Sequence, residues 1–136
     1  MTPIRKLVVA GLCIWLAAPA AVSAGEFSFK FEWGNIPPCD TGNPNIVKNP
    51  IFTLSGVPSG TAEIGFKMVD TYVPSYNHGG GKVPYTGNNT IPQGVFEYNS
   101  PCPPDGTHIY RWTATAKDKN GGTLGTATSE REFPQD

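Results

Sequence analysis

The chain has two histidines, His78 and His108, and each lies in a stretch rich in glycine or proline. His78 follows Asp70-Thr71-Tyr72-Val73-Pro74-Ser75-Tyr76-Asn77 and precedes three glycines. His108 follows Pro101-Cys102-Pro103-Pro104-Asp105-Gly106-Thr107 and stands two residues before Tyr110. One carboxylate, two imidazoles and a phenol can support three kinds of chemistry. Asp70 can accept an imidazole N–H and fix its tautomer, which leaves the other ring nitrogen and the Tyr110 hydroxyl to hold an anion. Protonation of that imidazole would tighten the hold. The same groups could ligate a divalent metal. Ser75 or Ser100 could serve as a nucleophile, but there is no Gly-x-Ser-x-Gly elbow and no pair of carboxylates, and an acid–histidine pair alone is not a triad. The reading is therefore a binding site for an anion, with no enzyme activity, no metal and no cofactor expected.

Two strands must position these groups. From Ala62 to Asp70 the chain alternates, with Ala62, Ile64, Phe66, Met68 and Asp70 on one parity and Glu63 and Lys67 on the other. Alternation of period two marks a strand with one buried face. Thr107 to Lys117 alternates as well, placing His108, Tyr110, Trp112, Ala114 and Ala116 on the inward row, with Ile109 an exception on the outer one. The acid ends its strand, whereas the histidine begins the other. If the two pair antiparallel, those ends meet on one side of the sheet, and Asp70, His108 and Tyr110 gather at one rim of the core with His78 from the loop. Gly79-Gly80-Gly81 could present backbone N–H groups to an anion as a nest, or simply form a hairpin turn. Tyr72 and Tyr76 read as rim of the pocket or as ordinary exposed aromatics.

The remaining chain is also built of strands. Phe27, Phe29, Phe31 and Trp33 alternate with Ser28, Lys30 and Glu32, which predicts a strand with an aromatic inner face. Trp33 and Trp112 belong to the core. Asn35 to Pro50 reads as an irregular crossing, Ile51–Leu54 as a short strand, and Val57-Pro58-Ser59-Gly60 as a turn. Short strands are also expected at Lys82–Tyr85 and Gly94–Tyr98. The proline run at 101–104 is a stiff loop, because proline lacks the N–H that a sheet needs. Asp118-Lys119-Asn120-Gly121-Gly122 is a hairpin turn, and Thr123–Phe133 is a last strand pairing back. No segment after the N-terminal region shows a 3.6-residue apolar period, so the class is an all-β antiparallel sandwich with little helix.

Arg5 and Lys6, an apolar run from Leu7 to Ala18, and the small residues ending at Ala24 form a three-part secretory signal. Residues 1–24 are expected to be removed, leaving 25–136 as one β-sandwich domain that is periplasmic or secreted. The apolar run is too short to span a bilayer, so no stable membrane anchor is expected. The whole chain carries 10 basic and 11 acidic side chains, a formal net charge of −1. Without a basic run, nucleic acid is not an expected partner. Of three cysteines, Cys13 falls within the signal; Cys39 and Cys102 remain for a disulfide in an oxidising compartment.

From Asn49 to Asp118 the chain resembles the phosphatidylethanolamine-binding protein family in its small bacterial secreted form. The resemblance begins with Pro50-Ile51-Phe52-Thr53-Leu54-Ser55-Gly56-Val57-Pro58-Ser59-Gly60-Thr61. It continues with Met68-Val69-Asp70-Thr71-Tyr72-Val73-Pro74 and His78, where the family carries Asp-Pro-Asp-x-Pro and a downstream histidine. It ends with Pro101-Cys102-Pro103-Pro104-Asp105-Gly106-Thr107-His108-Ile109-Tyr110, similar to Gly-Pro-x-Pro-Pro followed by Gly-x-His-Arg-Tyr. Tyr72 stands where the family has a second aspartate, Ile109 where it has arginine, and Ser100 where it has glycine. The resemblance implies an antiparallel β-sandwich with a pocket of Asp70, Pro74, His78, Pro103, Pro104, His108 and Tyr110, binding phosphate-like or lipid head groups. It also implies an alternative, an inhibitor of proteases or another protein-binding role exercised through the loops. A metal-binding sandwich is the third reading.

Overall fold

The computed structural model describes residues 3, 10–14 and 25–134. The signal expected over 1–24 lies outside the described residues except at those few positions. Within 25–134 there are nine strands: β1 (Ser28–Glu32), β2 (Ile46–Lys48), β3 (Ile51–Ser55), β4 (Glu63–Asp70), β5 (Gly80–Pro84), β6 (Thr90–Ile91), β7 (Glu97–Asn99), β8 (His108–Lys117) and β9 (Thr123–Phe133). They form a four-stranded sheet in the order β5-β4-β8-β9, a three-stranded sheet β1-β3-β6 and a small β2-β7 pair. Every pairing is antiparallel. The described residues contain no helix, so none is long and apolar enough to cross a membrane.

The two larger sheets face each other through aromatic side chains. Phe29 of β1 meets Phe66 of β4 edge-on at 6.1 Å between ring centroids. Phe52 of β3 stacks on Phe66 at 4.2 Å and meets Trp112 of β8 edge-on at 5.3 Å. Offset and edge-to-face contacts of this kind suit the ring quadrupoles and add to the burial of large apolar area. Phe31, Trp33, Ile64, Met68 and Ala114 complete the interior, as their parity predicts, while Ala62 stands just before β4 and is exposed. Trp33 also donates its indole N–H to the Glu132 carbonyl at 2.9 Å, which ties the end of β1 to β9. The β8–β9 hairpin turns on Asp118, whose carboxylate accepts the N–H groups of Asn120 and Gly122, with Gly121 at φ +82° in the left-handed region that glycine adopts at no steric cost.

Three expectations are corrected. The crossing from Asn35 to Pro50 is not wholly irregular: Ile46–Lys48 is a strand that pairs with Glu97–Asn99. Its alternation spans only three residues, too few for a period to show. Asn49 anchors the segment. Its buried Oδ1 accepts the N–H groups of Gly94, Val95 and Phe96, and its Nδ2 donates to the carbonyls of Pro50 and Pro92. Because Gly94–Phe96 bond to that side chain, only Glu97 and Tyr98 of the expected Gly94–Tyr98 strand join a ladder, with Asn99 beyond it. The third correction concerns the glycine triplet. Gly80 and Gly81 open β5, in register with Lys67 and Phe66, so they form neither a nest nor a turn.

Candidate functional site

β4 and β8 pair in the register that sets Asp70 opposite Tyr110. The acid at the end of one strand thereby meets the beginning of the other, two residues from His108. The inward row of β4 carries Asp70 into the core's rim, where it is buried. Its Oδ2 accepts the Nδ1–H of His108 at 2.7 Å, and its Oδ1 accepts the backbone N–H of Tyr72 at 2.9 Å. Both carboxylate oxygens are therefore engaged. With Nδ1 committed to the carboxylate, Nε2 is the ring atom of His108 left for a ligand. The exposed ring of Tyr72 lies 4.6 Å from that of His108 and covers one of its faces.

Tyr110 is almost wholly buried, and its hydroxyl accepts the N–H of Cys102 at 3.3 Å. Burial pushes the Tyr110 phenol well above its ordinary range, and the negative charge of Asp70 adds to the shift. The phenol thus stays protonated and remains a donor. His78 is buried as well and donates Nδ1–H to the Asn99 carbonyl at 2.9 Å. Desolvation lowers its pKa, outweighing the Asn99 and Ser100 backbone groups and the Asp70 charge, which favour the proton. His78 is therefore a neutral wall. Its ring meets Tyr110 edge-on at 5.6 Å and Tyr76 at 4.6 Å.

These groups surround a cavity of about 160 Å³ lined by Asp70, His78, His108, Tyr110, Pro104 and Tyr76, with Gly42, Pro44, Val73 and Cys102 closing the remainder. That is room for roughly five waters at about 30 Å³ each, a phosphoryl-sized space. Five of the seven expected ligand residues line it. Pro74 does not, because it lies in the exposed turn that follows the Asp70–Val73 bridge. Pro103 does not either: it is buried and lines a neighbouring groove with Ile36 and Phe133. Gly42 and Pro44 were not readable as site residues, because they come from a distant segment with no pattern of its own. The signal that could have found them is Cys39. Its disulfide to Cys102, with Cα atoms 4.6 Å apart, draws that segment against the proline loop. The bond is compatible with an oxidising compartment. Among the described residues no three His, Cys, Asp or Glu side chains converge as a metal would require.

No protein-family model matches the chain, and no curated protein matches it. Solved structures do. E. coli YbcL, described as a new member of the mammalian PEBP family, aligns with a TM-score of 0.57 at 16% identity, over 82% of this chain and 100% of its own. A putative phosphatidylethanolamine-binding protein homologue from Chlamydia trachomatis aligns with a TM-score of 0.54 at 16% identity, over 82% of this chain and 99% of its own. Identity this low speaks to architecture rather than ligand. Together with the sheet order and the all-β content, the likeness shows that the chain has the fold of the phosphatidylethanolamine-binding proteins.

Proposed function

We propose that this protein is a binding protein, not an enzyme, for a small anionic ligand of the phosphate-monoester or phospholipid-head-group class, and that it works outside the cytoplasm. One observation carries the reading: the Asp70–His108 pair at 2.7 Å, with both oxygens of the acid already used. An acid so engaged holds its histidine in one orientation, with Nε2 turned to the ligand. The cavity then offers donors, His108 Nε2–H when protonated and the Tyr110 hydroxyl, against neutral walls. Donors without a nucleophile suit holding an anion. The disulfide and the three-part signal support an exported protein.

Titration calorimetry with phosphoethanolamine, and separately with inorganic phosphate, tests this. The expected result is saturable binding that tightens on acidification, as imidazoles acquire positive charge. His108→Ala should weaken it by about tenfold or more, the equivalent of one charge-assisted hydrogen bond. Tyr110→Phe should cost less, a factor of roughly two to ten for a neutral bond. Equal heats for wild type and His108→Ala, with unchanged urea midpoints, would show that the pair is only structural.

A second reading has one observation of its own. Tyr72, Val73 and Tyr76 are exposed together on the loop after β4, an apolar tip beside the cavity that suits a protein partner. In that case the loop would carry inhibition or interaction, and Tyr72→Ser would abolish partner capture.

A further inference from the structure

The outer face of the four-stranded sheet carries an open trough of about 730 Å³, on the side of the sheet away from the core. Its floor lies along β4 and β5, where Gly65 and Gly80 face outward on neighbouring strands; Gly80 is in register with Lys67, and Gly65 with Lys82. Lys67, Lys82 and Lys117 stand around it, and Thr113 and Thr115 of β8 line its far side.

The informative residue is Gly65. A glycine inside a strand weakens it and often marks a place where something approaches the backbone closely. Gly80 and Gly81 have internal reasons to be glycine, since a Cβ at Gly80 would strike the Phe66 carbonyl and one at Gly81 would strike the Phe96 ring. Gly65 has none. A Cβ there would meet nothing within 4 Å, and its φ is not in the left-handed region. Neither the fold nor the backbone asks for glycine at this position, yet its absent side chain is what keeps the trough open.

Charge says what could enter. Among the described residues no carboxylate lines the trough, and the only ion pairs are His108–Asp70 and Arg111–Glu130, so none of the three lysines has a carboxylate within bonding distance. Glu63 is in register with Lys117 but stands outside the lining. Lys67 and Lys82 sit diagonally across adjacent strands, about 7–8 Å apart. Three unpaired cations on a chain of net charge −1 call for an anionic occupant. The trough is open to solvent, so the occupant can be a chain. Its one aromatic residue, Phe66, has its ring buried in the core against Phe52, so no base could stack there, and there is no arginine fork for phosphate, which disfavours nucleic acid. Glycine methylenes and threonine hydroxyls instead match the C–H faces and hydroxyls of sugars. We propose that this face binds an acidic polysaccharide, a polyuronate chain, with its carboxylates on Lys67, Lys82 and Lys117 and its rings over Gly65. The site is separate from the histidine cavity and does not depend on it.

The test is binding of polygalacturonate to the full domain at low ionic strength, with a neutral glucan and single-stranded DNA as comparisons. Polygalacturonate should bind, and more weakly at about 0.15 M salt, where the Debye length shrinks to about 8 Å. The paired charge reversal Lys67→Glu/Lys82→Glu should reduce binding at least tenfold. Gly65→Val is the sharper variant. A β-branched residue in open space on a strand should leave the urea midpoint unchanged or raise it, while filling the trough and reducing binding at least tenfold. His108→Ala should bind polygalacturonate as the wild type does. Absence of polygalacturonate binding, binding unaffected by Gly65→Val, or equal binding of the neutral glucan or the DNA would each overturn the proposal.

Discussion

His78 and His108 are chemically alike but are placed to do opposite things. His108 is mostly buried but keeps some exposure and donates to a carboxylate, so it faces the cavity with an oriented ring. His78 is buried against a carbonyl and two aromatic rings, and desolvation holds its pKa below the ordinary 6.5. The sign of the consequence follows from linkage. Below about pH 6.5 an imidazole in the unfolded chain takes up a proton more readily than folded His78 does. The unfolded state is thereby favoured, so the contribution of His78 is complete above that pH and is lost as pH falls through the lowered folded value. Urea midpoints of the wild type should decline on acidification through this window. His78→Gln, which can still donate to the Asn99 carbonyl, should show a flatter decline. Parallel profiles would mean that His78 does not titrate differently in the two states.

At the scale of elements, the strands with long alternating rows were legible and the short ones only in part. β1, β4 and β8 each bury one alternating row that was readable before any geometry, whereas β9 buries only Ala127 and Phe133 and was legible from the turn before it. Those rows exclude a one-residue slip, which would turn every core residue outward, but not a slip of two, so the Asp70–Tyr110 register itself is set by the structure. β2 and β6 are three and two residues long, too short for a period to register, and β7 overlaps the expected Gly94–Tyr98 strand only at Glu97 and Tyr98. β5 was expected only from Lys82, and its start was missed for another reason: Gly80 and Gly81 have no side chain, so alternation cannot be seen there. The space above Gly81 belongs to Phe96, which stacks on Phe66 at 6.1 Å and meets Trp112 edge-on at 6.0 Å. Gly81→Ala must displace that ring, and overpacking of this kind costs about 1–3 kcal/mol. Urea unfolding should show the loss, whereas Gly65→Ala, on the same sheet with open space above it, should show none. A neutral Gly81→Ala would mean that Phe96 moves freely.

Across the whole molecule, the site is made where three distant pieces of chain meet, and this explains which parts of it the sequence concealed. Asp70 and His108 announce themselves as polar residues on core-facing rows. Gly42 and Pro44 announce nothing; the Cys39–Cys102 bond and the paired hydrogen bonds between Asn45 and Ser100 hold them at the cavity. The disulfide is therefore both a staple and part of the site's wall. It joins residues 63 apart in sequence, a loop for which the chain-entropy model gives about 4 kcal/mol of stabilisation. Cys39→Ser/Cys102→Ser should lower the unfolding free energy by up to that amount. It should also act on the site: Cys102 N–H donates to the Tyr110 hydroxyl, and freeing the proline loop loosens both that bond and the wall of Gly42 and Pro44. Phosphoethanolamine affinity should therefore fall in the double variant even at temperatures where circular dichroism shows it fully folded, and polygalacturonate affinity on the far face of the sheet should not. Full phosphoethanolamine affinity in a folded double variant would show that the disulfide stabilises the domain without shaping the cavity.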